Sequence, residues 1–367
     1  MIEQSLPLNQ KIGQLFFIGI PCPEVDDATR ELLTEIMPGG VCLFTRNIRE
    51  AEQTRHLLDE IRDSLPVVPF LSIDQEGGLV DRLRRLMTPM LAASKLRDAE
   101  DAVKLADIIA ETLRILGFNM DFAPVVDVVD ESRAKYSNGL FSRAYGSSSE
   151  DVVEIAGSFL DTLQRNGIIG CLKHFPGLGA SSVDSHEELP QVDISGDELF
   201  STDLFPYKEL LKTGSVKAIM AAHAAFPRVN LQEMDQNGKL LPSSLSKNFI
   251  KTLLRDELGF DGLVITDDLE MGAIVKNYGI GEACKMAVAA GVDMMAICAD
   301  PGAIREGFYA VVKAVETGEI AESRLDMSLA RIAACKHELS GPLDFNPIGL
   351  GQLSEQVAAL NETLTRS

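Results

Sequence analysis

The chain has 367 residues, 46% hydrophobic and 24% charged, which excludes a disordered or low-complexity protein and allows one large core or two ordinary ones. Lys and Arg total 34 against 55 Asp and Glu, a formal charge of −21. A surface that acidic repels phosphate backbones and anionic lipid, so neither nucleic acid nor a membrane is expected as a partner.

In chain order, the start Met1-Ile2-Glu3-Gln4 has no basic region and no long apolar stretch, so no signal peptide is expected. No segment offers the roughly 18 uninterrupted apolar residues of a membrane span. Short apolar runs at 15–20, 40–44, 67–73, 119–123, 170–174, 218–222, 262–266 and 293–297 then alternate with helical-period stretches, clearest at 50–64, 99–116, 151–166, 246–258 and 282–290. Several runs are apolar at successive positions, as strands covered on both faces are. The order predicts an α/β fold of strand-then-helix units, a (β/α)8 TIM-type barrel, with a doubly wound open sheet as the competitor. The barrel is favoured because Arg46, Asp74, Asp127, Lys173, His174, His223 and Asp267 fall at or just beyond the C-terminal ends of the runs, which converge on one mouth in a barrel. No linker divides the chain. Residues 301–337 read as two helices that complete a barrel domain spanning 1–340. Pro342, Pro347 and Gly349 then open a C-terminal tail, 341–367, expected to be extended, with a short helix at 354–363 packed on the barrel.

The six cysteines are scattered, form no C-x-x-C pair and lie mostly in apolar runs, so reduced, buried thiols in a cytoplasmic protein are expected.

Three clusters carry chemistry. In Lys173-His174-Phe175-Pro176-Gly177-Leu178-Gly179, a strand presents two hydrogen-bonding groups side by side, and Pro-Gly-x-Gly is expected to free the backbone into a long, mobile loop. At its far end Asp184 and His186 are spaced so that, in extended chain, the carboxylate can orient the imidazole and raise its basicity. A His so held is a competent general acid and base. In Leu263-Val264-Ile265-Thr266-Asp267-Asp268-Leu269, Asp267 continues the strand toward the mouth and Asp268 caps the following turn. Asp267 can then be a nucleophile, a metal ligand or a structural acceptor. In Ser72-Ile73-Asp74-Gln75-Glu76-Gly77-Gly78, with Arg82 and Arg84 beyond, the acids and cations suit sugar hydroxyls or plain surface pairing.

The stretches Ile73-Asp74-Gln75-Glu76-Gly77-Gly78, Ser142-Arg143-Ala144-Tyr145-Gly146, Lys173-His174-Phe175-Pro176-Gly177, Asp184-Ser185-His186 and Thr266-Asp267-Asp268-Leu269 occur in this order. Together they resemble glycoside hydrolase family 3, in its β-N-acetylhexosaminidase branch, over roughly residues 10 to 340. The resemblance implies a barrel that releases terminal β-linked N-acetylglucosamine with retention. It implies Asp267 as nucleophile, His186 as acid/base, Asp184 as the partner of His186, and Asp74, Arg82, Arg143, Lys173 and His174 as sugar-binding residues. It further implies a cytoplasmic enzyme of peptidoglycan recycling, acting on N-acetylglucosaminyl-anhydro-muropeptide fragments as a monomer. No metal or other cofactor is expected. Two positions depart from the family pattern: Leu178 stands where a second His is usual, and Leu79 where a basic residue is usual.

Two readings of another class compete. One is a metal-dependent barrel hydrolase using His174, His223, Asp267 and Asp74; the other is a sugar-binding homologue that has lost turnover. Phosphate in place of water as acceptor also stays open.

Overall fold

Phe16 and Phe17, consecutive in the first strand, show why these apolar runs wrap into a barrel. The computed structural model describes residues 6–136, 140–181 and 188–366. In β1 (Phe16–Gly19) every residue is buried, because its two faces meet two different layers. Phe16 meets Phe308 of the helix Pro301–Glu316 edge-on, at 6.0 Å between ring centroids. Phe17 turns the other way, stacking on Phe70 at 5.7 Å and meeting Phe122 edge-on at 5.3 Å. The ring of Phe17 also explains Gly40 on the next strand, where a Cβ would lie 2.2 Å from it. Each fully buried Phe contributes about 2 kcal/mol of transfer free energy, so this plug anchors the barrel interior.

The strands follow as β2 (Gly40–Leu43), β3 (Phe70–Ile73), β4 (Met120–Asp121), β5 (Ile169–Phe175), β6 (Ala218–Ala221), β7 (Leu263–Asp268) and β8 (Met294–Ile297). Each pairs in parallel with its neighbours, and β1 closes on β8 with Phe16 opposite Met295. That closure is the feature sequence could not supply, and it excludes the open sheet.

Helices between the strands begin and end where local chemistry dictates. Asp98 accepts from the N–H of Asp101 at the start of Ala99–Leu116, and Gly117 ends that helix in the left-handed region. Ser148 and Asp151 form a reciprocal cap on Ser149–Arg165. The stretch expected to be helical at 246–258 is wound as a π-helix over Asn248–Glu257. Pro301–Glu316 and Glu322–Lys336 complete the outer ring.

The tail differs from expectation. A helix spans Pro347–Arg366, longer than the 354–363 read from sequence. Pro347 starts it rather than stopping it, since a first-turn residue needs no N–H, and Asn346 Oδ1 accepts from Gly349 N at 3.0 Å. The helix lies against Ala99–Leu116 and buries Leu353, Val357 and Leu364. Thr88 N donates to Ser354 Oγ at 2.8 Å, and Asn361 Nδ2 to the carbonyl of Pro89 at 2.8 Å.

All six cysteines are unpaired, and five are buried. Among the described residues no helix is long and apolar enough to cross a membrane.

Candidate active site

Polar side chains gather where the strands end. Beyond β3, Asp74 is followed by a two-stranded hairpin, Gln75–Gly77 against Val80–Asp81, and then by Arg82. The buried side chain of Gln75 locks this hairpin. Its Nε2 donates to Asp81 Oδ1 at 2.9 Å, and its Oε1 accepts from the N–H groups of Arg82 and Leu83 at 3.0 and 3.1 Å. Gly77 turns the chain at φ 86°, with no room for a Cβ beside the Leu91 carbonyl. Asp74 and Arg82 thereby flank a stiff unit, with Arg82 Nη2 3.7 Å from Asp74 Oδ2.

Lys173 and His174, consecutive on β5, are both buried. The peptide between them is cis, and the register against β6 shifts there. Lys173 Nζ donates to Asp74 Oδ1 at 2.8 Å and lies 2.6 Å from Glu76 Oε1. Arg143 grips the same Glu76 with two bonds, Nε at 2.7 Å and Nη2 at 2.9 Å. Burial works against the charge of Glu76, but Lys173 and Arg143 outweigh it and hold the carboxyl far below its usual range. Burial likewise opposes charge on Lys173, and Asp74 and Glu76 overcome it, keeping the ammonium charged.

The ring of His174 is fixed by Asp127, whose Oδ2 lies 2.7 Å from Nδ1. Nε2 lies 3.5 Å from Arg143 Nη2. A carboxylate can only accept, so Nδ1 carries its hydrogen toward Asp127.

On β7, Asp267 Oδ1 accepts from the N–H of Asp268 at 2.8 Å. Burial disfavours charge on Asp267; the imidazoles of His174 and His223, the Asp268 N–H and Lys173 reverse this, and its carboxyl lies below the usual range. Asp268 goes the other way. Burial, with repulsion from Glu270 and Asp267, pushes its carboxyl up to about 7, although the Glu270 N–H opposes the shift. Its Oδ1 accepts from Glu270 N at 3.0 Å, the turn-capping role read from sequence. Neighbouring acids on one strand end are thus driven apart, one kept ionised and the other protonated below neutrality.

Asp74, Arg82, Arg143, Lys173 and His174 are therefore brought into one cluster of hydrogen bonds and ion pairs, and its His174 and Lys173 favour the charge of Asp267. Asp184 and His186 lie outside the described residues. His223 has both ring nitrogens occupied: Ser244 Oγ lies 2.7 Å from Nδ1, and Nε2 donates to the Asp268 carbonyl at 3.1 Å. Among the described residues no group of three His, Cys, Asp or Glu side chains is placed to hold a metal ion. Arg46 is used structurally, donating to the carbonyls of Ile20 and Cys298 and so tying the ends of β1 and β8.

Two acids escaped the sequence reading. Glu76 sat inside a quoted motif but had no role, and its partner Arg143 is 67 residues away. Asp127 was one polar residue among several at strand ends. Being the strand-end acid nearest in sequence before a Lys-His pair was its only signal.

The expectation that Pro-Gly-x-Gly frees a mobile loop is corrected for its first part. Gly177, Leu178, Gly179 and Ser181 pack closely. A Cβ on Gly177 would lie 2.6 Å from that of Asp203, and one on Gly179 only 1.9 Å from the Val128 carbonyl. Gly179 serves close approach, whereas Gly177 both lies against Asp203 and turns the chain at φ 138°. Leu178 is buried in the core, and Leu79 is 67% exposed on the hairpin.

Comparisons with known proteins bear on the family of this chain. Residues 7–335 match the family model described as the glycosyl hydrolase family 3 N terminal domain. A beta-hexosaminidase of Psychromonas ingrahamii is 30% identical over 347 residues, covering 91% of this chain and 96% of its own. A beta-hexosaminidase of Pseudomonas aeruginosa is 34% identical over 278 residues, covering 74% and 78%. Among solved structures, a glycoside hydrolase family 3 beta-N-acetylglucosaminidase from Paenibacillus sp. str. FPU-7 superposes with a TM-score of 0.85 at 35% identity, covering 97% of this chain and 69% of that one. With its barrel, its strand-end cluster and these relatives, the chain belongs to glycosyl hydrolase family 3, in the branch of the β-hexosaminidases, and is a glycosidase.

Proposed function

We propose that the chain is a retaining, exo-acting β-N-acetylglucosaminidase in which Asp267 is the nucleophile and His186, oriented by Asp184, is the acid/base. The observation that carries this reading is the position of Asp267 at the C-terminal end of β7, at the same end of the closed barrel as the Asp74–Arg82–Arg143–Lys173 cluster. A sugar ring held by that cluster through its hydroxyls presents its anomeric carbon to the carboxylate.

In the first step Asp267 attacks the anomeric carbon as the glycosidic C–O bond breaks, and protonated His186 gives its proton to the leaving oxygen. A covalent glycosyl-enzyme results. In the second, neutral His186 takes a proton from water, whose oxygen bonds to the anomeric carbon while Asp267 leaves as carboxylate. Charge on Asp267 also stabilises the oxocarbenium-like transition states on either side.

For the substrate, the reading extends to N-acetylglucosaminyl-anhydro-muropeptide fragments, met in the cytoplasm during wall recycling. Supporting it is the imidazole acid/base, which spares an anionic muramyl group the repulsion of a second carboxylate. Residues 1–340 form the catalytic unit in this reading, and 341–367 its appendage.

Trapping with a 2-acetamido-5-fluoro sugar tests the mechanism: the label is expected on Asp267, and a label on any other residue refutes it. Comparing anhydro-muropeptide with chitobiose hydrolysis tests the substrate. A preference for chitobiose removes the recycling assignment while leaving the chemistry intact.

A further inference from the structure

Asp127, just beyond β4, has a carboxylate buried to 1% exposure, and its two oxygens serve different parts of the mouth. Oδ2 takes the Nδ1 hydrogen of His174 at 2.7 Å. Oδ1 accepts from the backbone N–H of Leu178 at 2.7 Å and from that of His174 at 3.3 Å. Leu178 belongs to the root of the segment that runs on in sequence to Asp184 and His186. That root is docked on Asp127 and its neighbour: Gly179 lies against the Val128 carbonyl too closely for a Cβ, and Ser181 N closes back on Leu178 O at 2.8 Å. The Asp127–Leu178 bond is thus a polar tie within a buried backbone contact.

We propose that Asp127 is a positioning residue for both halves of the reaction. Through His174 Nδ1 it fixes the tautomer and plane of a ring at the sugar. Through the Leu178 N–H it fixes the root of the segment carrying the acid/base. The second half rests on the reading of His186 given above. The chemistry needs a carboxylate here, because both partners are donors and only an acceptor on each oxygen satisfies them. An asparagine of the same shape sets its NH2 against either His174 Nδ1–H or Leu178 N–H, so one of the two ties is lost.

The test compares kcat/KM on two aryl N-acetyl-β-glucosaminides. The dinitrophenyl glycoside leaves without a proton, whereas the phenyl glycoside needs one. Asp127→Asn is expected to lower both and to lower the phenyl substrate by roughly a further 10-fold or more, with azide accelerating turnover of the dinitrophenyl substrate. An equal loss on both substrates overturns the second half, and no loss on either overturns the proposal. His186→Ala is measured alongside: if it lacks the leaving-group dependence, the acid/base assignment has failed rather than the role of Asp127. Should Asp127→Asn not fold, Gly179→Ala displaces the root while keeping Asp127, and the same selective loss on the phenyl substrate is expected. Equal losses there overturn the anchoring role.

Discussion

Two buried ion clusters occupy opposite ends of the barrel, and they differ in what they leave unspent. At the N-terminal end stands Asp293, immediately before β8 and fully buried. Its Oδ2 accepts from Arg255 Nη2 at 2.6 Å and Val264 N at 3.0 Å; its Oδ1 accepts from Ser328 Oγ at 2.8 Å and Arg331 Nη1 at 3.4 Å. This acid is saturated, and its partners bind β7 and β8 to the surrounding helices. At the C-terminal end, Asp267 accepts one hydrogen bond among the described residues, from a backbone N–H. Burial of charge is common to both ends, and each holds a guanidinium, Arg82 or Arg255, whose buried Nε has no partner among the described residues. Residual hydrogen-bonding capacity on the acid is what separates the two ends. Glu76 is the intermediate case, saturated like Asp293 but holding groups that are themselves open to a ligand.

Substitutions at the two ends sharpen the contrast. Asp267→Ala is expected to cut kcat/KM by at least about 10⁴-fold while leaving the melting temperature unchanged or raised. Asp293→Ala is expected to do the reverse, lowering unfolding free energy by about 3–5 kcal/mol in denaturant titration and preserving kcat per folded molecule, because it strands buried guanidinium groups. Equal destabilisation by the two would erase the distinction. Arg82→Ala removes a charged donor from the mouth and is expected to cost about 1.5–3 kcal/mol of transition-state binding, roughly 10- to 100-fold in kcat/KM, with little change in stability.

Asp268 gives a pH test. Folding raises its carboxyl to about 7, so the folded state favours its protonated form. The resulting stability is fully present below about pH 4, where the unfolded chain is also protonated, and is lost as pH rises through 7. Melting curves of Asp268→Asn between pH 4 and 8 are expected to show a shallower decline than wild type. Smallest is Ser328→Ala, which deletes one neutral donor to Asp293 and is expected to lower stability by about 1 kcal/mol without touching activity.

Legibility in the sequence followed the range of the interactions. The eight strands were readable because barrel strands are covered on both faces, so their apolar runs stand out even at β4, where regular pairing narrows to Met120–Asp121. Asp74, Lys173 and His174 were readable because a strand end announces itself locally. Their assembly was not, since Lys173 and Asp74 are 99 residues apart. Glu76 and Asp127 stayed hidden for a related reason: each serves other side chains, and nothing in its own neighbourhood says which. The glycine at 179 was visible but misread. Sequence cannot tell a glycine chosen for its dihedral freedom from one chosen because another backbone lies against it. Pro347 was misread in the same way, its role depending on whether a helix precedes or follows it.

The locked hairpin after β3 has a consequence for how this protein can change. Because Gln75 clasps its base from within, the spacing of Asp74 and Arg82 is insulated from whatever occupies the outer end, where Leu79 projects into water. Variation at that outer end leaves the hairpin base undisturbed, so a lineage, or a library randomised at Leu79, can explore new neighbours for the mouth without changing the spacing of Asp74 and Arg82.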